Sequence, residues 1–581
     1  MRNGQVTMLR NLSILVLAAL VIALPFIFRK PAEQSDWKPG DPELVVITPM
    51  NEAIRYEFGR GFSAWHRHNY GRPVRMDWRA IGGTTEIMRY VSSELVNAAR
   101  AWWTGQGNPW PAGAGEALIA RTLDTNKPAV IQKLYQAFRQ TDDPKQFTSK
   151  LDLLWGGGVY DHNDAYRQGL TVAPWPPGRE PTKWFVAPDG TALIPESMSG
   201  EIWRTPWLFG NVLSTFGICY NVDRIRDLGI THPPQRWDDL ADPAYFRQVA
   251  VADPTKSGSI AKAFEMIIQQ KCREAVLAAG FSDRDIQEFE ALFQKSPSGE
   301  RPGGVPAKYQ EAIEAGWRDG LKLIQLIGAN ARYFTDAATK IVIDVGMGDA
   351  AAGLAIDFYG RYQAQCSRAP DGHERMVYVT PVGGSSVSAD PVSLLRGAEH
   401  RDIAMRFIQF LVSEEGQKLW TYRPGTPGGP ERFALRRIPI RRDFYPSDDP
   451  QLNAVHLEHV KYAADNLADP AVNPYALATN FTYQARWTAP LFGFHRTLIK
   501  SMCIDSGDEL RQVWGAVIAK GGPAVNPAAV NQLCRLPDRP EPLTWSNAAN
   551  VLKKYGEMKC AREWTEFYRE NYRKVREELA R

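Results

Sequence analysis

Four short, nearly continuous apolar runs constrain this chain most: residues 43–48 (ELVVIT), 151–155 (LDLLW), 249–253 (VAVAD) and 353–357 (GLAID). Each ends abruptly in a loop of small and polar residues. Continuous runs of five or six residues read as strands buried on both faces, as in parallel sheets covered by helices. Residues 52–70 read as a helix, and residues 74–78 (VRMDW) alternate as a strand. After Gly83-Thr84-Thr85, a helix places Ile87, Val91, Leu95 and Ala98 on one face. This β-α-β-α order predicts an α/β fold, and in open α/β sheets ligands sit beyond the carboxyl ends of the strands.

The chain has 581 residues, 44% hydrophobic and 23% charged, which excludes disorder and predicts about three domains or lobes. Four of its 69 basic residues, Arg2, Arg10, Arg29 and Lys30, fall in the first thirty residues, which hold no acid. The rest balances its 65 acids, so no global field attracts nucleic acid. Residues 12–28 (LSILVLAALVIALPFIF) are uncharged and flanked by basic residues, the pattern of an export signal or an uncleaved signal anchor. Residues 31–42 read as a polar tether. Such a chain belongs in the periplasm, held to the inner membrane by its N-terminal segment. Six cysteines without a C-x-x-C pair exclude zinc and redox motifs and permit disulfides, with Cys503–Cys534 the preferred pair.

No nucleophile elbow, zinc-protease motif or phosphate-binding loop is present, so no catalytic residue is assigned. His456 and His459, one helical turn apart, read as a solvated face. Two stretches interrupt the α/β pattern: residues 99–150, helical and polar, and residues 165–200, rich in Pro, Gly and Trp. Residues 430–581 end in a long helix whose Trp564, Tyr568, Tyr572, Val575 and Leu579 form a stripe that reads most simply as packing on the body, with partner binding the alternative.

The densest motifs are GICYNVDRIRDLGITHPPQRWDDLADPAYFRQVAVADPTKSGS at 217–259, DAAAGLAIDFYGRYQ at 349–363 and VTPVGGSSVSADPVSLLRGAEHRDIAMRFIQFLVSEEGQKLW at 379–420. With residues 43–92 and 151–163 they resemble the extracellular solute-binding proteins of ATP-binding-cassette (ABC) importers, in the ferric-iron-binding-like branch. The resemblance covers about half of the chain and implies a two-lobed type II periplasmic-binding-protein fold with two crossover strands. Lobe 1 would span 43–215, lobe 2 216–375 and the return to lobe 1 376–429, leaving 430–581 as an extra helical region. It implies delivery of a captured solute to an ABC permease in the inner membrane, without catalysis.

Thr255-Lys256-Ser257-Gly258-Ser259 follows a strand and opens a helix, so free amides, hydroxyls and the helix dipole converge there. Thr84 and Thr85 open a helix in the other lobe in the same way. Together these favour a small anionic solute, phosphate- or carboxylate-bearing. Gly157 lets backbone approach the ligand and Tyr160 can stack on it, while Glu52 sits in a helix's first turn. Trp203 and Trp207 flank the first crossover and are candidate cleft residues. By the resemblance, Asp357 and Tyr359 stand where ferric binders carry adjacent tyrosines. Iron as the transported ligand, on Asp357 and Tyr359, is the alternative, opposed by Met50 where those binders place a histidine. A membrane-tethered sensor or assembly protein of the same fold is the other alternative. No cofactor is expected.

Overall fold

The computed structural model describes residues 37–296 and 301–581. The expected signal segment and most of the tether lie outside the described residues. Among those residues, no helix is long and apolar enough to cross a membrane.

The expected β-α order is realised at the start of the chain. β1 (Glu43–Ile47) leads into α1 (Glu52–Tyr70), and β2 (Arg75–Arg79) into α2 (Thr84–Gly105). Helix α1 is entered through Asn51, whose side chain accepts from the Ile54 amide, and left through Gly71 at φ 77°, a left-handed turn open to glycine. Helix α2 buries Ile87, Val91 and Leu95 as its periodicity predicts. β3 (Leu153–Trp155) then leads into α3 (Val159–Gln168).

The chain leaves the first sheet by β4 (Leu208–Ser214) and enters a second by β5 (Phe216–Asn221), both strands fully buried. β6 (Val249–Ala252) leads into α4 (Gly258–Ala278), followed by α5 (Ala307–Asn330). Two strand–helix pairs follow: β7 (Ala331–Thr335) with α6 (Ala338–Met347), then β8 (Ala352–Ile356) with α7 (Asp357–Cys366). β9 (Met376–Val379), expected to have returned to lobe 1, is instead an edge strand of the second sheet. The return is made by β10 (Ser388–Leu395).

The first sheet runs β11-β4-β10-β3-β1-β2, with β11 (Ile438–Pro439) supplied from beyond the return strand. The second runs β7-β6-β8-β5-β9. In each lobe the helix-bearing strands are parallel, and β10 in the first sheet and β5 in the second run antiparallel to them. Within each lobe the three helix starts therefore lie at the same edge of the sheet.

The C-terminal region is not an appendage. Leu435, Ile440, Phe444 and Tyr445 join the core of lobe 1, whereas Phe481, Trp514, Trp564 and Tyr572 join the core of lobe 2. The chain thus passes between lobes a third time, between Ala478 and Phe481. This strand of backbone runs along Ser199, whose carbonyl accepts from the Tyr483 amide at 2.8 Å. The final helix, α10 (Glu557–Ala580), buries its aromatic stripe there as expected.

Two further expectations are corrected. All six cysteines are free thiols, including Cys503 and Cys534. Burial raises the Cys534 thiol to about 12. His456 and His459 are buried rather than solvated: His459 stacks on Phe444 at 3.7 Å, and His456 Nδ1 contacts the Phe444 carbonyl at 2.8 Å.

Candidate functional site

One cavity of about 880 Å³ lies between the lobes and receives all six strand-to-helix junctions. Asn51, Gly83 and Gly158 line it from lobe 1, and Ser257, Ala337 and Ile356 from lobe 2. The first amides of a helix have no carbonyl a turn back to accept from them. A cavity walled by helix starts is therefore rich in donors and sits at the positive ends of the helix dipoles.

The six tips are not equivalent. Those of α1, α2, α3 and α7 carry an acid in the first turn, namely Glu52, Glu86, Asp161 and Asp357. The tips of α4 and α6 carry none. These two are neighbours because β6 and β7 pair in parallel. Ser257 Oγ caps α4 only loosely, at 3.4 Å from the Ile260 amide, and contacts Ser259 Oγ at 3.2 Å. The positive charge with least internal compensation is thus on the lobe 2 wall. Lys256 is paired with Asp336 at 2.8 Å, and Arg167 lines the lobe 1 side.

Other charges along the cavity compensate one another. Lys262 lies 2.9 Å from both Glu201 and Glu265, which outweigh the cost of its burial and raise its pKa. Arg437, fully buried, pairs with Asp390 at 2.6 Å and donates to Ser214 Oγ at 2.7 Å. Among the described residues, no cation is in salt-bridge contact with Asp161. Burial pushes its carboxyl up to about 6, with Arg496 and the Gly158 amide pulling the other way. His162 supports the glycine loop from behind: its Nε2 donates to the Gly156 carbonyl at 3.0 Å, and burial lowers its pKa to about 4.

Of the residues singled out from sequence, Thr84, Gly157, Tyr160, Ser257, Gly258, Ser259 and Tyr359 line this cavity. Gly157, at φ 93°, lets the loop close on Thr84: an added Cβ would lie 3.0 Å from Thr84 Cγ2. Glu52, Thr85 and Asp357 lie off the lining. Glu52 is exposed in the first turn of α1. Thr85 bridges lobes instead, accepting from Arg496 at 2.9 Å and lying 3.5 Å from the Thr255 carbonyl. Asp357 turns inward to the Phe358 amide at 2.8 Å and to Arg361 at 3.2 Å. Burial raises its pKa, and it raises that of Tyr359 as well. Trp203 is buried against the Val387 carbonyl and Trp207 stacks on Tyr166, so neither reaches the cavity.

The residues that sequence reasoning missed come mainly from far along the chain. Tyr483, Ala485, Ala489 and Phe492 form one side of the cavity. Arg437 and the Lys262–Glu201–Glu265 group also line it. Lys256, Phe358, Ser388 and Asp390 line it from within motifs already quoted, whereas nothing local marks the C-terminal residues.

Residues 185–444 match the family of bacterial extracellular solute-binding proteins. No curated protein matches the chain. Similar solved structures include the periplasmic binding protein AfuA from Actinobacillus pleuropneumoniae, with fructose-6-phosphate bound. It is 16% identical over 65% of this chain and 81% of that one, with a TM-score of 0.39. Iron-bound HitA from Pseudomonas aeruginosa is 14% identical over 75% and 96%, at 0.37. The spermidine/putrescine substrate-binding protein PotD from Streptococcus pneumoniae is 12% identical over 78% and 99%, at 0.39.

Proposed function

We propose that this chain, which carries a bacterial extracellular solute-binding domain at residues 185–444, is the substrate-binding component of an ABC importer. It captures a small anionic solute between its lobes and presents the closed form to a membrane permease. The carrying observation is the pair of neighbouring helix tips, at Ser257–Ser259 and Ala337–Thr339, that face the cavity without an acid in their first turns. Phosphate or carboxylate oxygens accept from such amides without meeting a carboxylate in the same turn. Contacts from both lobes make closure depend on the solute, as a shift in an open-closed equilibrium. The charge-free run at residues 12–28 supports placement outside the cytoplasm, as an exported or anchored chain.

Iron is the weaker reading. Asp357 is committed to Arg361, and Tyr359 faces the positive Arg437. Among the described residues, no group of three His, Cys, Asp or Glu could hold a metal ion. A sensor or assembly role would use residues 430–581 as a docking surface, and apolar residues of that region are built into both lobe cores.

Native mass spectrometry of protein purified without added ligand tests the proposal. The expected result is a one-to-one adduct of an organic phosphate or carboxylate, lost in Ser257→Asp, which places a negative charge at the α4 tip. An adduct that persists unchanged in the variant, or one that is cationic or ferric, would overturn the anion assignment.

A further inference from the structure

The family domain stops at residue 444, yet one wall of the cavity is built from residues 483–492. That wall is fixed to lobe 2 by polar contacts at every turn. The Gln269 side chain donates to the Gln484 carbonyl at 2.8 Å and to Thr488 Oγ1 at 2.7 Å. Arg486 holds Glu290 through two hydrogen bonds, and Trp487 donates to the same carboxylate at 2.9 Å. Helix α9 (Phe492–Ile499) is tied to α5 by the Trp317 donation to His495 Nε2 at 2.8 Å. The Tyr483 hydroxyl donates to Glu265 at 2.7 Å, and the Lys262 ammonium sits 4.0 Å above its ring.

The wall's exposed chemistry differs from that of the lobes. The lobes present amides, hydroxyls and charges among apolar side chains such as Met50, Val159, Phe216 and Phe358, whereas this side carries no charge and presents two aromatic rings and two alanines. Phe492 reaches across to Tyr160 of lobe 1, ring centres 5.1 Å apart. Phe492 belongs to neither lobe's apolar core, so packing within a lobe does not account for it. The cavity's 880 Å³ falls within the range of about 300–1,000 Å³ that encloses organic molecules, far beyond an inorganic anion.

We propose that residues 483–492 are the selecting wall of the site: Tyr483 and Phe492 require the captured anion to carry an apolar, ring-sized body opposite its charged group. This rests on the anion reading above. The charged group docks at the α4 and α6 tips, whose first turns carry no acid, and the body lies against Tyr483 and the Phe492–Tyr160 pair. The wall is preorganised, so its aromatic contacts cost little ordering on binding.

Isothermal titration with three probes separates the two readings: phenyl phosphate (charge and ring), inorganic phosphate (charge alone) and phenol (ring alone). Phenyl phosphate is expected to bind at least about tenfold more tightly than inorganic phosphate. Phe492→Ala should remove most of that advantage and leave inorganic phosphate unchanged, and Phe492→Leu should restore part of it. Equal affinity for the two phosphates, or an equal loss of both in Phe492→Ala, would overturn the selecting wall while leaving the anion site standing. Binding of phenol without either phosphate would remove the anion reading itself, and failure of all three probes would count against both.

Discussion

Asp161 is the residue at which charge and closure meet. It stands at the third position of α3, on the cavity wall, with Arg496 near it but not in contact and Asp164 raising its pKa further. Its folded value of about 6 lies above the unfolded value of 3.8, so the native state holds the proton more tightly. The stability from that proton is fully present below pH 3.8 and is lost as pH rises through 6. Asn in its place has no proton to lose. The thermal midpoint of Asp161→Asn should therefore equal that of the wild type near pH 4 and rise above it to a plateau by pH 7. A difference that does not change with pH would show that Arg496 keeps the carboxylate ionised throughout.

At the scale of elements, the C-terminal helix α10 is a structural member of lobe 2. Trp564 is fully buried, with its ring centre 5.3 Å from that of Phe494, which places it directly behind the selecting wall. Trp564→Ala should cost about 3 to 5 kcal/mol, the range for removing a large aromatic from a packed core. Chemical denaturation would measure it, and a loss under 1 kcal/mol would mean the helix is peripheral. Elements with strong periodicity were legible in the sequence: α1 begins and ends where the pattern put it, and α4 opens within the Thr255–Ser259 segment. The pattern of apolar runs ending in polar loops was also enough to bring Thr84 and Ser257 to one cavity. What stayed hidden depends on distant partners. Asp357 was read as a ligand because its partner Arg361, one turn along, gives no sequence sign of burial. His459 was read as solvated because burial comes from Phe444, fifteen residues away. Tyr483 and Phe492 carry no motif, and only the third passage between lobes gives them a place in the site.

For the whole molecule, residues 430–581 cannot be removed as a module. Their first part completes the lobe 1 sheet through β11, and their second part supplies Leu498, Trp514, Trp564 and Tyr572 to the lobe 2 core. A chain truncated after residue 429 is expected to aggregate or to lack cooperative unfolding, read by circular dichroism and light scattering. A soluble truncation with a single sharp transition would mean that the remainder folds on its own.

Arg496 gives this architecture a temporal consequence. Its guanidinium donates to the carbonyls of Pro254 and Thr255 in lobe 2, at 2.7 and 2.6 Å, and to Thr85 of lobe 1 at 2.9 Å. Since α9 travels with lobe 2, the Thr85 bond and the Phe492–Tyr160 contact must both break before the lobes can part. Escape of a trapped molecule then waits in part on the Arg496–Thr85 bond, which lies off the cavity lining, so how long it is held is set partly by the carrier alone.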